Sequence, residues 1–375
     1  MEKLKKIIIV PPDPIIEKEP SQPVAAFFAR SAKYFKRRLW QDTSVYDGEL
    51  QFYADMPAFL GESNVYVFGK YLPHFYSPKV PAGCAYPSCH GIPRSTYVPE
   101  KELEGVIKEA DAVLISTRSS KKRRELAGQL AKKNGIPVAM IDFKDHYSVF
   151  AGQAADEEIC RGFKRGNDYD LYFKKDLPLG RRSDVVLPLA PVPVRPESYR
   201  FNVLSKDVDI FYSGKIRQKG TGDRGDIVDL VKNQFPSSVV FEHVDHHTFL
   251  SLRSYLDNLS RAKIALSPSG VVWDSFRHCE VGLAPQALLL APKPYMEVVG
   301  PFLEDGVNAV LYETEFRDGK YHLINSNELI EKIKYYLSND DKRVRIANNW
   351  AGNVKAGHTG VARSRYIAES IDKIL

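Results

Sequence analysis

Residues 266–294, LSPSGVVWDSFRHCEVGLAPQALLLAPKP, constrain the fold of this chain most. A short apolar strand at 264–267 runs into a Pro/Ser/Gly loop that contains Ser269 and Gly270. The loop feeds a helix over 275–283, and a second apolar strand at 287–291 follows almost at once. In open α/β sheets, ligands sit beyond the carboxyl ends of the strands. A Gly-bearing loop that leads into a helix N-terminus suits an anion, because free backbone N–H groups point outward there.

The helix carries Ser275, Arg277 and Glu280. Arg277 and Glu280 are one turn apart and share a helix face, expected to look into a cleft with Ala284. Phe276, Cys279 and Leu283 share another, expected to be buried. A guanidinium meets phosphate oxygens in a bidentate way, and a carboxylate accepts from the two hydroxyls of a ribose. The pattern outlines a nucleotide-sugar site. As an isolated pair the same two charges would be a surface ion pair worth about 0.3 kcal/mol; the loop before them favours the site.

The rest of the second half keeps the same rhythm. Strands are expected at 210–213, 239–241 and 309–312, and helices at 226–234, 248–260 and 328–337. Such alternation argues a parallel, doubly wound sheet. A last helix over 362–374 places Ile367, Ile371 and Ile374 on one stripe. In the first half, strands are expected at Ile7–Val10, 65–68, Ala112–Ser116, Val138–Asp142, 171–173 and 185–187. The helix at 121–134 has Gly135 at its end and Pro137 as its stop. The stretch 71–99, rich in Tyr and Pro, fits no regular element. Residues 188–196, PLAPVPVRP, hold four prolines. They exclude a helix or a central strand and are expected to connect two domains.

Other motifs lie at strand ends. Tyr212-Ser-Gly214-Lys215-Ile-Arg217 follows the first strand of the second half. Gly214 lets a ligand approach the backbone, while Lys215, Arg217 and Lys219 suit a departing diphosphate; a solvated basic turn is the plainer alternative. Asp145 and His146 follow the strand Val138–Asp142 and suit proton transfer from a sugar hydroxyl, or else an Asx-type turn with an exposed histidine. His243, Asp245, His246 and His247 invite a metal, but their spacing does not complete a site, and a loop edging the base pocket is the expectation. Asp168, Asp170, Asp207 and Asp209 form two Asp-x-Asp triplets that lead into apolar strands.

Composition sets the outer limits. The 375 residues suit two domains. A net charge of +6 favours anionic ligands without implying nucleic acid, because both signs are mixed along the chain. Cys84, Cys89, Cys160 and Cys279 fit unpaired thiols in a reducing compartment, since Cys84, Cys89 and His90 find no second pair for zinc. The N-terminus has too short an apolar core for a signal peptide, and no run approaches the ~18 residues of a membrane span. A cytoplasmic protein is expected. Basic clusters at 33–38 and 121–124 leave peripheral contact with anionic head groups at the inner membrane face open, although solvated helix faces explain them as well.

Asp209-Ile-Phe-Tyr-Ser-Gly214 with Arg217, Arg261-Ala-Lys-Ile-Ala-Leu-Ser-Pro-Ser-Gly270, Ser275-x-Arg277-x-x-Glu280, Gln286-Ala-Leu-Leu-Leu-Ala and Phe302-Leu-Glu-Asp-Gly-Val-Asn308 together resemble the C-terminal half of GT-B glycosyltransferases. The spore-maturation-type (group 1-like) and exostosin-like families are the most similar. The resemblance implies an α/β fold of two Rossmann-like domains facing each other across a cleft. Residues 1–190 would be the acceptor domain, 197–360 the nucleotide-sugar domain, and 361–375 a helix crossing back. It also implies donor binding by Gly214, Lys215, Arg217, Ser269, Gly270, Ser275, Arg277 and Glu280, with Glu280 on the ribose and any base, Asp145 or His146, from the first domain. No metal or cofactor is expected beyond the donor, and the acceptor would be a glycan or lipid-linked saccharide. Two departures stand out: Pro285 lies where the family usually has Cys or Gly, and 71–99 matches nothing in it. The alternatives are a nucleotide-sugar epimerase or hydrolase on the same fold, or a non-catalytic assembly or coat protein.

Overall fold

The computed structural model describes residues 2–11, 49, 52–53, 55–69, 96–143, 169–216, 223–243, 250–270, 272–318 and 320–375. Two compact units divide the chain. The first comprises Met1–Asp142, Tyr169–Leu171 and Arg363–Leu375, and the second comprises Phe143–Asp168 and Tyr172–Ala362.

The first unit is built on strands that are apolar from end to end. β1 (Ile7–Val10) is buried throughout and pairs in parallel with β2 (Val65–Val67) and β4 (Ala112–Ser116). β3 (Thr96–Tyr97) flanks β2, and β5 (Val138–Asp142) flanks β4. Continuous apolar strands are those covered on both faces. The order of these strands is β3-β2-β1-β4-β5; β6 (Leu171–Lys174), within which the division of the chain falls, pairs in parallel with β7 (Val186–Pro188). The short helix α1 (Leu103–Lys108) precedes β4. α2 (Lys121–Lys133) lays Ala127 and Ala131 against the sheet and ends at Gly135, whose φ is +69°. Its basic residues are engaged: Lys122 with Glu100 at 3.0 Å, and Arg124 with the Thr117 carbonyl at 2.8 Å.

The second unit has a parallel sheet in the order β12-β11-β10-β8-β9, formed by β8 (Val208–Gly214), β9 (Val239–Glu242), β10 (Ala262–Leu266), β11 (Leu288–Pro292) and β12 (Val310–Tyr312). Strand side chains alternate between faces. Ile210 and Tyr212 therefore meet Ile227, Val228 and Val231 of α3 (Arg224–Gln234) and Ile333 of α6 (Ser326–Ser338). Phe211, Leu289 and Ala291 meet Leu259 of α4 (Leu252–Arg261), Cys279 of α5 (Phe276–Leu283) and Trp350 of α7 (Asp340–Gly357). This is the doubly wound sheet that the alternation foretold. A hairpin of β13 (Thr314–Arg317) and β14 (Lys320–Leu323) and the long helix α7 were not foreseen.

Several expectations change. Residues 188–195 are buried inside the second unit, and Pro196 opens a short 3-10 helix. Val192 N–H donates to Asp274, and Val194 exchanges backbone hydrogen bonds with His358 and Gly360. The chain divides near 171 and 362, so the units differ from the ranges 1–190 and 197–360. The last residues do cluster with the first unit. Ile367 and Ile371 of α8 (Gly360–Asp372) are buried there, and Asp372 accepts the N–H groups of Glu2, Lys3 and Leu4 at 3.2, 2.9 and 2.6 Å. Ile374 lies past the helix end and is 38% exposed, so it leaves the stripe. Among the described residues, no helix is long and apolar enough to cross a membrane.

Candidate functional site

From β8 the chain moves outward in both directions: β9 lies on one side and β10 on the other. In sheets of this kind such a reversal of order marks the ligand crevice, beyond the carboxyl ends of the two strands. Those ends are Gly214, Lys215 and the loop that starts at Ser267. The loop is anchored to β11: Ser267 N–H donates to Leu290 O at 2.8 Å and Trp273 Nε1 to Pro292 O at 2.9 Å.

The expected backbone anion cradle is already engaged. Ser269 N–H donates to Asp223 Oδ1 at 3.0 Å, and Gly270 N–H to Val272 O at 3.0 Å. Ser275 is the N-cap of α5, and its hydroxyl accepts Arg277 N–H at 3.3 Å. Capping of this kind satisfies one of the outward-pointing amides of a first turn. The amides of Ser269, Gly270 and Arg277 thus have partners within the protein, and cationic side chains lie beside them.

Arg277 is half-buried. Its Nη2 donates to the Ser213 carbonyl, its guanidinium lies 5.0 Å from the Tyr212 ring centroid, and its Nε has no hydrogen-bond partner among the described residues. Burial pulls its pKa down, but Tyr255, Tyr212 and Glu280 outweigh that and keep it above the ordinary value. Gly214 makes room. A Cβ there would lie 2.5 Å from Tyr212 Oη and 3.3 Å from Arg277 Nη2. Lys215 is exposed beside them.

Glu280 does share the helix with Arg277, but it is 9% exposed and both its oxygens are occupied. Oε1 accepts from the Tyr199 hydroxyl at 3.0 Å and Oε2 from the Tyr255 hydroxyl at 2.7 Å. Burial, reinforced by the Glu280 charge, pushes both phenols well above their ordinary pKa, so they stay protonated donors. The helix α5 is buried all round over His278 to Gly282, whereas Phe276 and Leu283 are half-buried. His278 is a core histidine. Burial lowers its pKa to about 4, and Nε2 pairs with Trp273 O at 2.9 Å.

Two further neighbours stand here: His243, whose loop the sequence set at the edge of a base pocket, and Arg224, which was not foreseen. His243 follows β9; its ring Nε2 lies 2.8 Å from Ser213 Oγ and its N–H donates to Gly214 O at 3.0 Å. Burial, then Arg277, Lys215 and Arg224, hold its pKa below the ordinary value. Arg224 begins α3, donates from Nη1 to Lys215 O at 2.8 Å, and fills the space beside Gly270. The sequence signal for Arg224 was its place at the first turn of the helix after the β8 loop. Arg217, Asp145, His146, His246 and His247 lie outside the described residues, as do Cys84, Cys89 and Cys160. Among the described residues, no group of three or more His, Cys, Asp or Glu could hold a metal ion. Asp207 and Asp209 pair with Arg261 and Lys263 at 2.7 and 2.8 Å and serve β8 structurally.

Residues 213–369 match the family model described as glycosyl transferase-like. No curated protein matches the chain in sequence. Among solved structures, Anabaena Alr3699/HepE in complex with UDP and glucose is similar at a TM-score of 0.56 and 11% identity, covering 98% of this chain and 100% of that one. The same protein in complex with UDP-glucose gives 0.55 at 11% identity, covering 98% and 99%. The chain thus has the GT-B glycosyltransferase fold, and from residue 213 to 369 it carries the glycosyl transferase-like family pattern.

Proposed function

We propose that the protein moves a sugar from a nucleoside-diphosphate donor to a hydroxyl of a glycan or lipid-linked saccharide, in the making of a surface polysaccharide or glycoconjugate. The observation that carries this reading is Arg277. It is a half-buried guanidinium with a donor unpartnered among the described residues, fixed beside Lys215 where the sheet order reverses. A preorganised cation stabilises the charge that develops on a leaving diphosphate. The family pattern supports the same chemistry, and HepE, of like fold, is known in complex with UDP and with UDP-glucose.

Within this reading Arg277, Lys215 and Arg217 neutralise the diphosphate and make the transfer metal-independent. Glu280 takes the ribose. Each of its oxygens already accepts one phenol, and a carboxylate oxygen has a second lone pair for a hydroxyl. The two tyrosines hold the carboxylate in place for that contact. Asp145 or His146 supplies the base if the reaction inverts. The reaction is placed in the cytoplasm, with the membrane's inner face as a peripheral contact.

The test is a thermal-shift panel of UDP, GDP, ADP, CMP and TDP on wild type, Arg277→Met and Glu280→Gln. One nucleotide at 100 times its Kd stabilises by about 2.7 kcal/mol. That shift is expected in wild type and lost in Arg277→Met. If no nucleotide moves the wild-type transition, the reading fails and an assembly role takes its place.

A further inference from the structure

We propose that a cavity beside β12 is a docking site for a basic segment of a partner protein, in which a lysine or arginine stands next to an apolar residue. The inference goes beyond the nucleotide reading and does not depend on it. β12 is the edge strand of its sheet, and β10 and β11 separate it from β8.

The cavity holds about 580 Å³, within the range of ligand clefts, and has the buried Leu303 and Leu329 in its wall. Two more apolar residues line it, yet Leu179 is 55% and Phe302 56% exposed. Single exposed apolar side chains are ordinary, but here they extend one apolar surface into solvent. The backbone under each is fixed. Glu297 pins the turn at 177–180: its N–H donates to Leu177 O at 2.8 Å, and its Oε1 accepts Gly180 N–H at 2.7 Å. Asn308, 4% exposed, pins the turn at 302–309: it accepts Glu304 N–H at 2.8 Å and donates to Phe302 O at 2.7 Å. Gly306 completes that turn with a φ of +72°. A rim ordered before the partner arrives lowers the cost of association.

Charge selects the partner. Lys293 and Lys332 line the cavity and are matched from within, by Glu313 at 3.3 Å and Asp305 at 2.8 Å. Glu328 lies one turn before Lys332 on α6, but that ammonium turns to Asp305 and the Leu311 carbonyl. Glu304 and Glu328 are exposed and have no ion pair among the described residues. Two unmatched carboxylates therefore border an apolar cavity in a chain whose net charge is +6. Anionic ligands are repelled there. A lysine or arginine fits, because its methylenes lie on apolar surface while its head meets a carboxylate. A peptide also covers Leu179 and Phe302, which a free amine leaves in water.

The experiment is fluorescence anisotropy on the full chain with labelled Gly-Leu-Lys-Leu-Arg-Gly, Gly-Leu-Glu-Leu-Glu-Gly and Gly-Ser-Lys-Ser-Arg-Gly. The rest of the protein repels a cationic peptide, so binding of the first reports a local site. It is expected to bind with a Kd below about 1 mM, and about tenfold more tightly than either of the others. Glu304→Gln with Glu328→Gln should weaken it about 3- to 10-fold, the range of two exposed ion pairs. Glu304→Lys with Glu328→Lys should turn the preference to the glutamate peptide. Phe302→Ser should weaken the first peptide and leave the serine peptide unchanged. Glu369→Gln, an exposed carboxylate on α8, should change nothing. Each substituted side chain is exposed, so thermal melting should be unchanged in all of them. Equal affinity for the three peptides, or a preference that survives charge reversal in the folded variant, overturns the inference. Self-association in sedimentation velocity that Phe302→Ser disperses also overturns it, with a second copy of the chain as the occupant. The nucleotide panel reads the other site, so either proposal can fail while the other stands.

Discussion

Replacing Gly214 by alanine tests whether the site depends on a side chain being absent. The position is extended backbone at the end of β8, so an alanine can adopt it. The added Cβ would stand 2.5 Å from Tyr212 Oη, 3.0 Å from Tyr212 Cζ and 3.3 Å from Arg277 Nη2. Tyr212 is fully buried and its hydroxyl donates to Lys215 O at 3.3 Å, so the ring has little room to retreat. Overpacking of this kind costs about 1–3 kcal/mol. Lower entropy of the unfolded chain offsets about 0.4–1 kcal/mol of that. A net loss of about 1–2 kcal/mol follows, or roughly 3–6 °C in Tm for a body of this size. Thermal and urea unfolding of Gly214→Ala measure it, with Gly128→Ala as the control. Gly128 lies inside α2 with no atom within 4 Å of its ideal Cβ, and alanine there should stabilise by about 0.5–1 kcal/mol. The displaced guanidinium should also weaken nucleoside-diphosphate binding. If Gly214→Ala is as stable as the control variant, the close approach of Tyr212 and Arg277 is refuted.

Other expectations follow from the same geometry. Tyr199→Phe and Tyr255→Phe each remove a hydrogen bond to a buried carboxylate and should cost about 1.5–3 kcal/mol by urea unfolding, with a non-additive double variant. Burial raises the Asp223 pKa to about 6, so its protonated form favours folding. The advantage is complete below the unfolded value near ~4 and is lost as pH rises through about 6. Wild type should therefore lose stability relative to Asp223→Asn across that window, on the order of 2–3 kcal/mol by unfolding at a series of pH values. Equal pH profiles would refute it. Lys215→Ala removes an exposed cation, so Tm should be unchanged while nucleoside-diphosphate affinity falls and becomes less salt-dependent in calorimetry.

Much of the second unit was legible because its signals are local. Residues 287–291 read as a strand from five apolar residues in a row, within one residue of the observed Leu288–Pro292, and Arg277 and Glu280 share a helix from spacing alone. α7 was missed although Ile346, Trp350 and Val354 recur at intervals of four, because Asn, Gly and charged residues between them dilute the stripe. The proline run 188–196 read as a linker from composition, yet Leu189, Ala190, Val192 and Val194 are buried, and their hydrogen bonds go to residues far along the chain.

The chain by itself determined where strands end in loops and which helix carries a guanidinium and a carboxylate, since both follow from periodicity and turn residues. Tertiary structure decided which groups are left to act. Ser269 and Gly270 have their amides engaged, Glu280 is held by tyrosines 81 and 25 positions away, and Arg277 and His243 both reach Ser213. Those outcomes depend on sheet order and on hydrogen bonds between distant segments, which no local pattern encodes.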